Sequence, residues 1–196
     1  MPQEILKQFC DRKTIPVNVG EIEAAVRRRV MIDQINFYPS PTMDSSIVRG
    51  TVDRIHGICW HPPRDGGFAD IYYPDGMDPD WQRLVQTKEL VQLLDSAEGM
   101  AIDRERIEKL ITELVTPREV SAISNPTKED HYALTWALAW LFPRKCRDLL
   151  REPFAEGKIT APEIAAIAKI PGRFIPFLFS DAFGKWLDAI LEEDGN

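Results

Sequence analysis

The sequence predicts an α+β fold that is mostly helical, with one small antiparallel sheet and a C-terminal helical appendage. Three observations predict it. Residues 47–73 alternate extended β-branched and aromatic runs with the turn Pro62-Pro63-Arg64-Asp65-Gly66-Gly67. Residues 79–96 place apolar side chains at helical spacing. Residues 133–142, ALTWALAWLF, are apolar almost all round, as befits a helix in the centre of a core.

The elements follow in order. Residues 2–10 fit a short helix carrying Ile5, Leu6 and Phe9. The extended run TIPVNV at 14–19 leads into a helix from about Glu21, with Ile22, Ala25, Val26, Val30 and Met31 on its apolar side. Residues 37–46 are turn-rich and polar, which predicts a loop. Strands are expected at 47–52, 54–61 and 68–73, the last stopped by Pro74-Asp75-Gly76. Asp78 and Pro79 suit the N-cap and first position of a helix over 79–96. A further helix is expected over 103–115, ended by Pro117, and another from Asn125-Pro126-Thr127 to about Phe142. Pro143 starts the next helix, with Cys146, Leu149 and Leu150; Pro153 disturbs it and Gly157 closes it. Thr160 and Glu163 form a T-x-x-E capping box that opens a helix to about Lys169. After the turn Pro171-Gly172, helical stretches at 173–179 and 182–192 are expected.

Composition narrows the function. A chain of 196 residues suits one domain with a small appendage, divided here into 1–143 and 144–196. The net charge of −7 excludes a broad phosphate-binding surface, so no nucleic-acid partner is expected. The one basic cluster, Arg27-Arg28-Arg29, lies in a helical pattern and reads as a solvated face. The three cysteines, Cys10, Cys59 and Cys146, are far apart and lack C-x-x-C spacing, which argues against a disulfide framework or a zinc ribbon. The start, MPQEILKQFCDRK, lacks the apolar core of a signal peptide, and the run 133–142 is too short to span a bilayer. A cytoplasmic location without membrane attachment is the expectation.

The stretch RLVQTKELVQLLD, residues 83–95, organises the rest. At about 100° per residue, Leu84, Thr87, Leu90, Val91 and Leu94 share one arc, the expected buried stripe. Lys88, Glu89, Gln92 and Asp95 share the other, expected to be solvated. Lys88 and Gln92 are i and i+4, the spacing at which an H-E-x-x-H helix aims two imidazoles at one zinc with the enclosed Glu as general base. The pentad here is Lys88-Glu89-Leu90-Val91-Gln92. Lysine is charged at neutral pH and offers a metal no lone pair.

Several pieces in one order resemble the ImmA/IrrE family of zinc metallopeptidases. Ile15-Pro16-Val17-Asn18-Val19 with Ile22 is similar to that family's P-V-D/N-V-x-x-I entry. The strand ending ADIYY resembles the strand before its active-site helix, and residues 81–90 resemble its R-x-R-F-T-x-A-H-E-L run. Residues 131–143 resemble a later buried helix, and the capping-box helix with Ile170-Pro171 resembles the pair that follows. The likeness covers roughly residues 14–180. It implies an HExxH-type helix core against the sheet, and a role beside helix-turn-helix repressors of prophages or mobile elements. It also maps the two family histidines onto Lys88 and Gln92, the general base onto Glu89, and the third ligand near 129–132. With the ligands replaced, no zinc or other cofactor is expected, and zinc peptidase activity is not. The expectation is a catalytically inactive regulatory or protein-binding module, with Lys88 standing in the place of zinc and paired with Glu129 or Asp130.

Two alternatives accompany it. One is a hydrolase with a site rebuilt around Glu89, Asp130 and His131, although His131 is expected near solvent in the first turn of its helix. The other is a DNA-binding regulator using the C-terminal helices. Residues 160–179 have helix-turn-helix spacing, but RFIPFLF is apolar and suits packing, or a partner groove if exposed, better than a major groove. His56, Cys59 and His61 lie close in sequence, yet strand alternation puts His56 on the face opposite the other two. Neither a Gly-rich phosphate loop nor a G-x-S-x-G elbow is present.

Overall fold

The computed structural model describes residues 2–30, 32–42, 58–59, 68–95 and 125–192; for 58–59, 95 and 125–130 the description extends to the backbone alone. Among these residues the chain is mostly helical with one small sheet, an α+β arrangement. The helices are α1 Pro2–Phe9, α2 Val19–Val30, α3 Pro79–Asp95, α4 Asn125–Leu141, α5 Arg144–Ala155, α6 Ala161–Ala168, α7 Ile175–Leu178 and α8 Asp181–Glu192. The strands are β1 Gln34–Ser40, β2 Ile58–Cys59 and β3 Phe68–Pro74.

Among the described residues the small sheet is mixed, with the β2–β3 pairing antiparallel as expected and an unexpected parallel strand beside it. Its order is β1-β3-β2, and its long pairing is parallel, from Gln34↔Phe68 to Ser40↔Pro74. Only Ile58↔Tyr72 and Cys59↔Ile71 pair antiparallel. The loop expected at 37–46 is therefore a strand as far as Ser40. Pro39, Ser40 and Pro41 read as turn composition, but Ile35, Phe37 and Tyr38 suit a pleated, half-buried surface. Proline is tolerated there because β1 is the outer strand among the described residues, with one edge away from their ladder. A parallel partner needs a long crossover, so β1 pairs with a strand 34 positions on and no local hairpin signal announces it. Apart from Ile58–Cys59, the expected strands at 47–52 and 54–61, the turn at 62–67 and the helix at 103–115 lie outside the described residues. So do His56 and His61.

The core is continuous from one end of the described chain to the other. α3 packs against α4, α2 and β3, and α1 packs against α4, α2 and α8. Residues 131–142 are buried throughout, as their apolar composition predicts. Trp140 is fully buried, and its indole Nε1 donates to the Pro2 carbonyl at 3.2 Å. The C-terminal helices join the same core: Trp136 meets Trp186 edge-on at 5.2 Å, Trp81 meets Phe174 at 5.6 Å, and Gln3 donates to the Ile190 carbonyl. No helix among the described residues is long and apolar enough to cross a membrane.

Local signals set the helix ends. Pro143 caps α5, and Gly157, at φ 70°, provides the left-handed turn that follows the helix. Pro153 lies inside α5 without ending it, two residues before its C-terminus. The capping box predicted for α6 is formed: Glu163 accepts from both the Thr160 N–H and its hydroxyl at 2.7 Å. These two bonds favour the ionised carboxylate, so the Glu163 pKa lies below its ordinary value. A depressed carboxylate contributes stability above its unfolded pKa, about 4.3, and loses it as pH falls through the lower folded value. Glu163→Gln is therefore expected to lower the melting temperature slightly at neutral pH and to leave the acid limb less steep. Thermal melts between pH 7 and pH 3 check this.

Candidate functional site

The central helix is anchored at its start. Asp78 accepts the Asp80 N–H at 3.0 Å, with Pro79 in the first turn. Gln82 donates to the Tyr73 hydroxyl at 2.9 Å, tying α3 to β3. Arg83 donates from Nη2 to the Val17 carbonyl at 2.8 Å and from Nε to the Lys169 carbonyl at 3.1 Å. Lys169 is the left-handed C-cap of α6, so one guanidinium links the α2 entry, α3 and the C-terminal region. Burial pushes the Arg83 pKa down. The three bonds that Gln82 and Arg83 make to other elements hold the rotation of α3 about its axis.

That rotation buries the first arc and, from the second, Lys88 and Glu89. Leu84, Thr87, Leu90, Val91 and Leu94 are buried, as their spacing predicts, and the Thr87 hydroxyl is satisfied by the Arg83 carbonyl at 2.8 Å. The opposite arc is not the solvated face expected. Lys88 is 1% exposed and Glu89 0%, and Gln92 is half-buried. The reason is tertiary. An amphipathic stripe predicts a wet face only where one side of the helix is left open, and α3 is packed against α2, α4 and β3 together.

The two buried charges answer one another. Lys88 Nζ lies 2.9 Å from Glu89 Oε1. Neighbouring helix positions diverge by about 100° and do not normally face each other. Two long side chains meet here because both turn into the same closed interior. An isolated buried charge is very costly, so the pair is the condition for either residue to be inside. Lys88, Glu89, Gln92 and His131 each have at least one further interaction partner.

His131 is placed differently from its expectation. It lies in the second turn of α4, is 3% exposed, and its carbonyl accepts the Thr135 hydroxyl at 3.0 Å. Both flanks of this helix are covered, which its early position alone does not reveal. Glu129 and Asp130 directly precede His131 in the same turn of α4; their side chains, and hence the expected pairing with Lys88, lie outside the described residues.

No protein-family model, curated protein or solved structure matches the chain.

Chemically, the α3 site is already neutralised. An HExxH helix needs lone pairs at the positions of Lys88 and Gln92, and an ammonium bonded to Glu89 supplies none. The residues present do not fit a zinc ion held in that way. Among the described residues, no group of three or more His, Cys, Asp or Glu side chains is arranged to hold a metal.

The C-terminal segment is closed as well. Phe174, Ile175, Phe177 and Leu178 are buried, and α7 has only four residues. Within 173–178 only Arg173 and Pro176 are exposed. The apolar patch that exposed aromatics would have formed here is therefore absent from this stretch. One residue with a large local role has no signal in the sequence: Arg147 of α5 is 3% exposed and donates to the Leu178 carbonyl at 2.7 Å and the Ser180 carbonyl at 3.1 Å. Its burial lowers its pKa.

Proposed function

We propose that this chain is a catalytically inactive, metallopeptidase-like protein of the ImmA/IrrE type that works as a regulatory, protein-binding module. The observation that carries the reading is the ion pair of Lys88 and Glu89, closed to solvent at the positions where an HExxH helix holds zinc. The carboxylate that would serve as general base is neutralised by a cation of the chain itself. The stacked order of β3, α3 and the buried α4 is consistent with the scaffold the resemblance implies. The setting that goes with it is cytoplasmic, with a helix-turn-helix repressor of a prophage or mobile element as the partner class.

The hydrolase alternative, built on Glu89, Asp130 and His131, requires substrate to reach Glu89 and His131, which are 0% and 3% exposed. The DNA-binding alternative requires a recognition surface on helices whose apolar residues face inward. Neither observation favours those readings.

Restoring the ligands tests the scaffold. In Lys88→His with Gln92→His, the pentad becomes an HExxH helix. The expected result is uptake of about one zinc per chain by a folded variant, with half-saturation far below that of the natural chain. A folded double variant that takes up no zinc overturns the metallopeptidase-like reading.

A further inference from the structure

The outer face of the sheet carries a different kind of surface. Alternation puts Ala69, Ile71 and Tyr73 of β3 into the core, and Phe68, Asp70 and Tyr72 on the opposite face. The parallel register sets Gln34, Asn36 and Tyr38 of β1 beside them. Phe68 is 61% exposed and Tyr38 43%, two of the four exposed large hydrophobic side chains among the described residues. The rings of Tyr38 and Tyr72 stack, with centroids 5.4 Å apart and planes at 28°. Asn36 donates to Asp70 at 2.9 Å, which fixes the carboxylate beside that aromatic pair.

Aromatic rings displayed on a sheet are a platform for planar groups. Two planar groups are candidates, a nucleobase and a guanidinium, and charge separates them. Neither β1, QINFYPS, nor β3, FADIYYP, contains a lysine or arginine. Among the described side chains of β1 and β3 on this face, Asp70 carries the only carboxylate, exposed Asp33 and Asp75 flank the two strands, and the chain carries −7 overall. A phosphate backbone would be repelled, whereas a guanidinium would be attracted and could stack.

We propose that this face binds an arginine-bearing segment of a partner protein, with the guanidinium against the stacked Tyr38–Tyr72 pair and in charge contact with Asp70. The proposal names the surface and partner chemistry of the protein-binding module proposed above, and rests on that reading. The platform lies on the face of β3 opposite the one packed into the core, so partner binding would leave Lys88 and Glu89 undisturbed.

The probe is a capped, fluorescently labelled peptide of alternating arginine and leucine. A lysine-for-arginine version and a uridine oligonucleotide serve as comparators. Binding is followed by anisotropy and mapped by amide NMR shifts on the full chain. Saturable binding of the arginine peptide is expected, with shifts centred on 34–40 and 68–74. The lysine version should bind more weakly, and Tyr38→Ala and Asp70→Asn should each weaken the arginine peptide by about fivefold with unchanged thermal melts. Binding of the oligonucleotide in preference to the peptide overturns the proposal. So do shifts centred elsewhere, equal binding of the lysine version, or no binding at millimolar peptide. None of these outcomes bears on zinc uptake by the histidine-restored variant, so failure of this surface and failure of the underlying reading are told apart.

Discussion

Lys88→Ala and Glu89→Ala are each expected to destabilise the chain by about 3–5 kcal/mol, because each removes one partner of an ion pair in a closed interior. Both residues are essentially solvent-free, and the ammonium and carboxylate lie 2.9 Å apart. That loss is a large fraction of the stability of an ordinary domain, about 5–15 kcal/mol. Replacing both together by apolar residues of similar size, Lys88→Met with Glu89→Leu, is expected to cost far less than the sum of the single losses. Urea unfolding of the natural chain, Lys88→Met, Glu89→Leu and the double variant gives the coupling energy. The cycle also reports on neighbours. A substantial residual loss in the double variant would mean that a third charged group shares the pair, the place for which Glu129 and Asp130 are the candidates from sequence. Equal, small losses in both single variants would mean that the pair is solvated.

The second large effect is expected at the C-terminal corner. Arg147 holds the Leu178 and Ser180 carbonyls, and Gly184 of α8 faces its guanidinium. Arg147→Ala leaves the Leu178 carbonyl without this donor, at about 1–3 kcal/mol, and strips the packing of the side-chain stem, while the Ser180 carbonyl keeps the Gly184 N–H at 3.1 Å. At Gly184 two effects oppose. Helix propensity favours alanine over glycine by about 1 kcal/mol. A Cβ there, however, would sit 2.5 Å from Arg147 Nη2 and 3.1 Å from its Cζ. A guanidinium held by two carbonyls does not retreat freely, so the clash wins. Gly184→Ala is expected to destabilise by about 1–3 kcal/mol. In the Arg147→Ala background the same substitution should become neutral or favourable, since the obstacle is gone. Thermal denaturation of the single and double variants measures this reversal of sign.

The sequence showed the helices well and the sheet poorly, for one physical reason. Helix signals are local. Asp78-Pro79, Thr160 to Glu163 and Pro143 act within a turn, and α3, α5 and α6 begin where those residues place them. The pairing of β1 with β3 is not local, and Pro39 and Pro41 disguise the strand as a turn. The site divides in the same way. The i, i+4 spacing of Lys88 and Gln92, and the loss of metal lone pairs, follow from the residues alone. Their burial does not, because it depends on α2, α4 and β3 enclosing α3 at once. Arg147 is the extreme case: its partners are main-chain carbonyls more than 30 positions away, which no side-chain pattern encodes. The outer sheet face was equally hidden, since it exists only once β1 lies beside β3.

The central claim is that a charge of the chain itself occupies the place of a catalytic metal. It is tested most directly by the zinc content of the natural protein, purified without chelator and then equilibrated with a slight excess of zinc. The prediction is far less than one zinc per chain, unchanged in Glu89→Ala and His131→Ala. Stoichiometric zinc in the natural chain, lost in either variant, would contradict it and move the function to a rebuilt metal site.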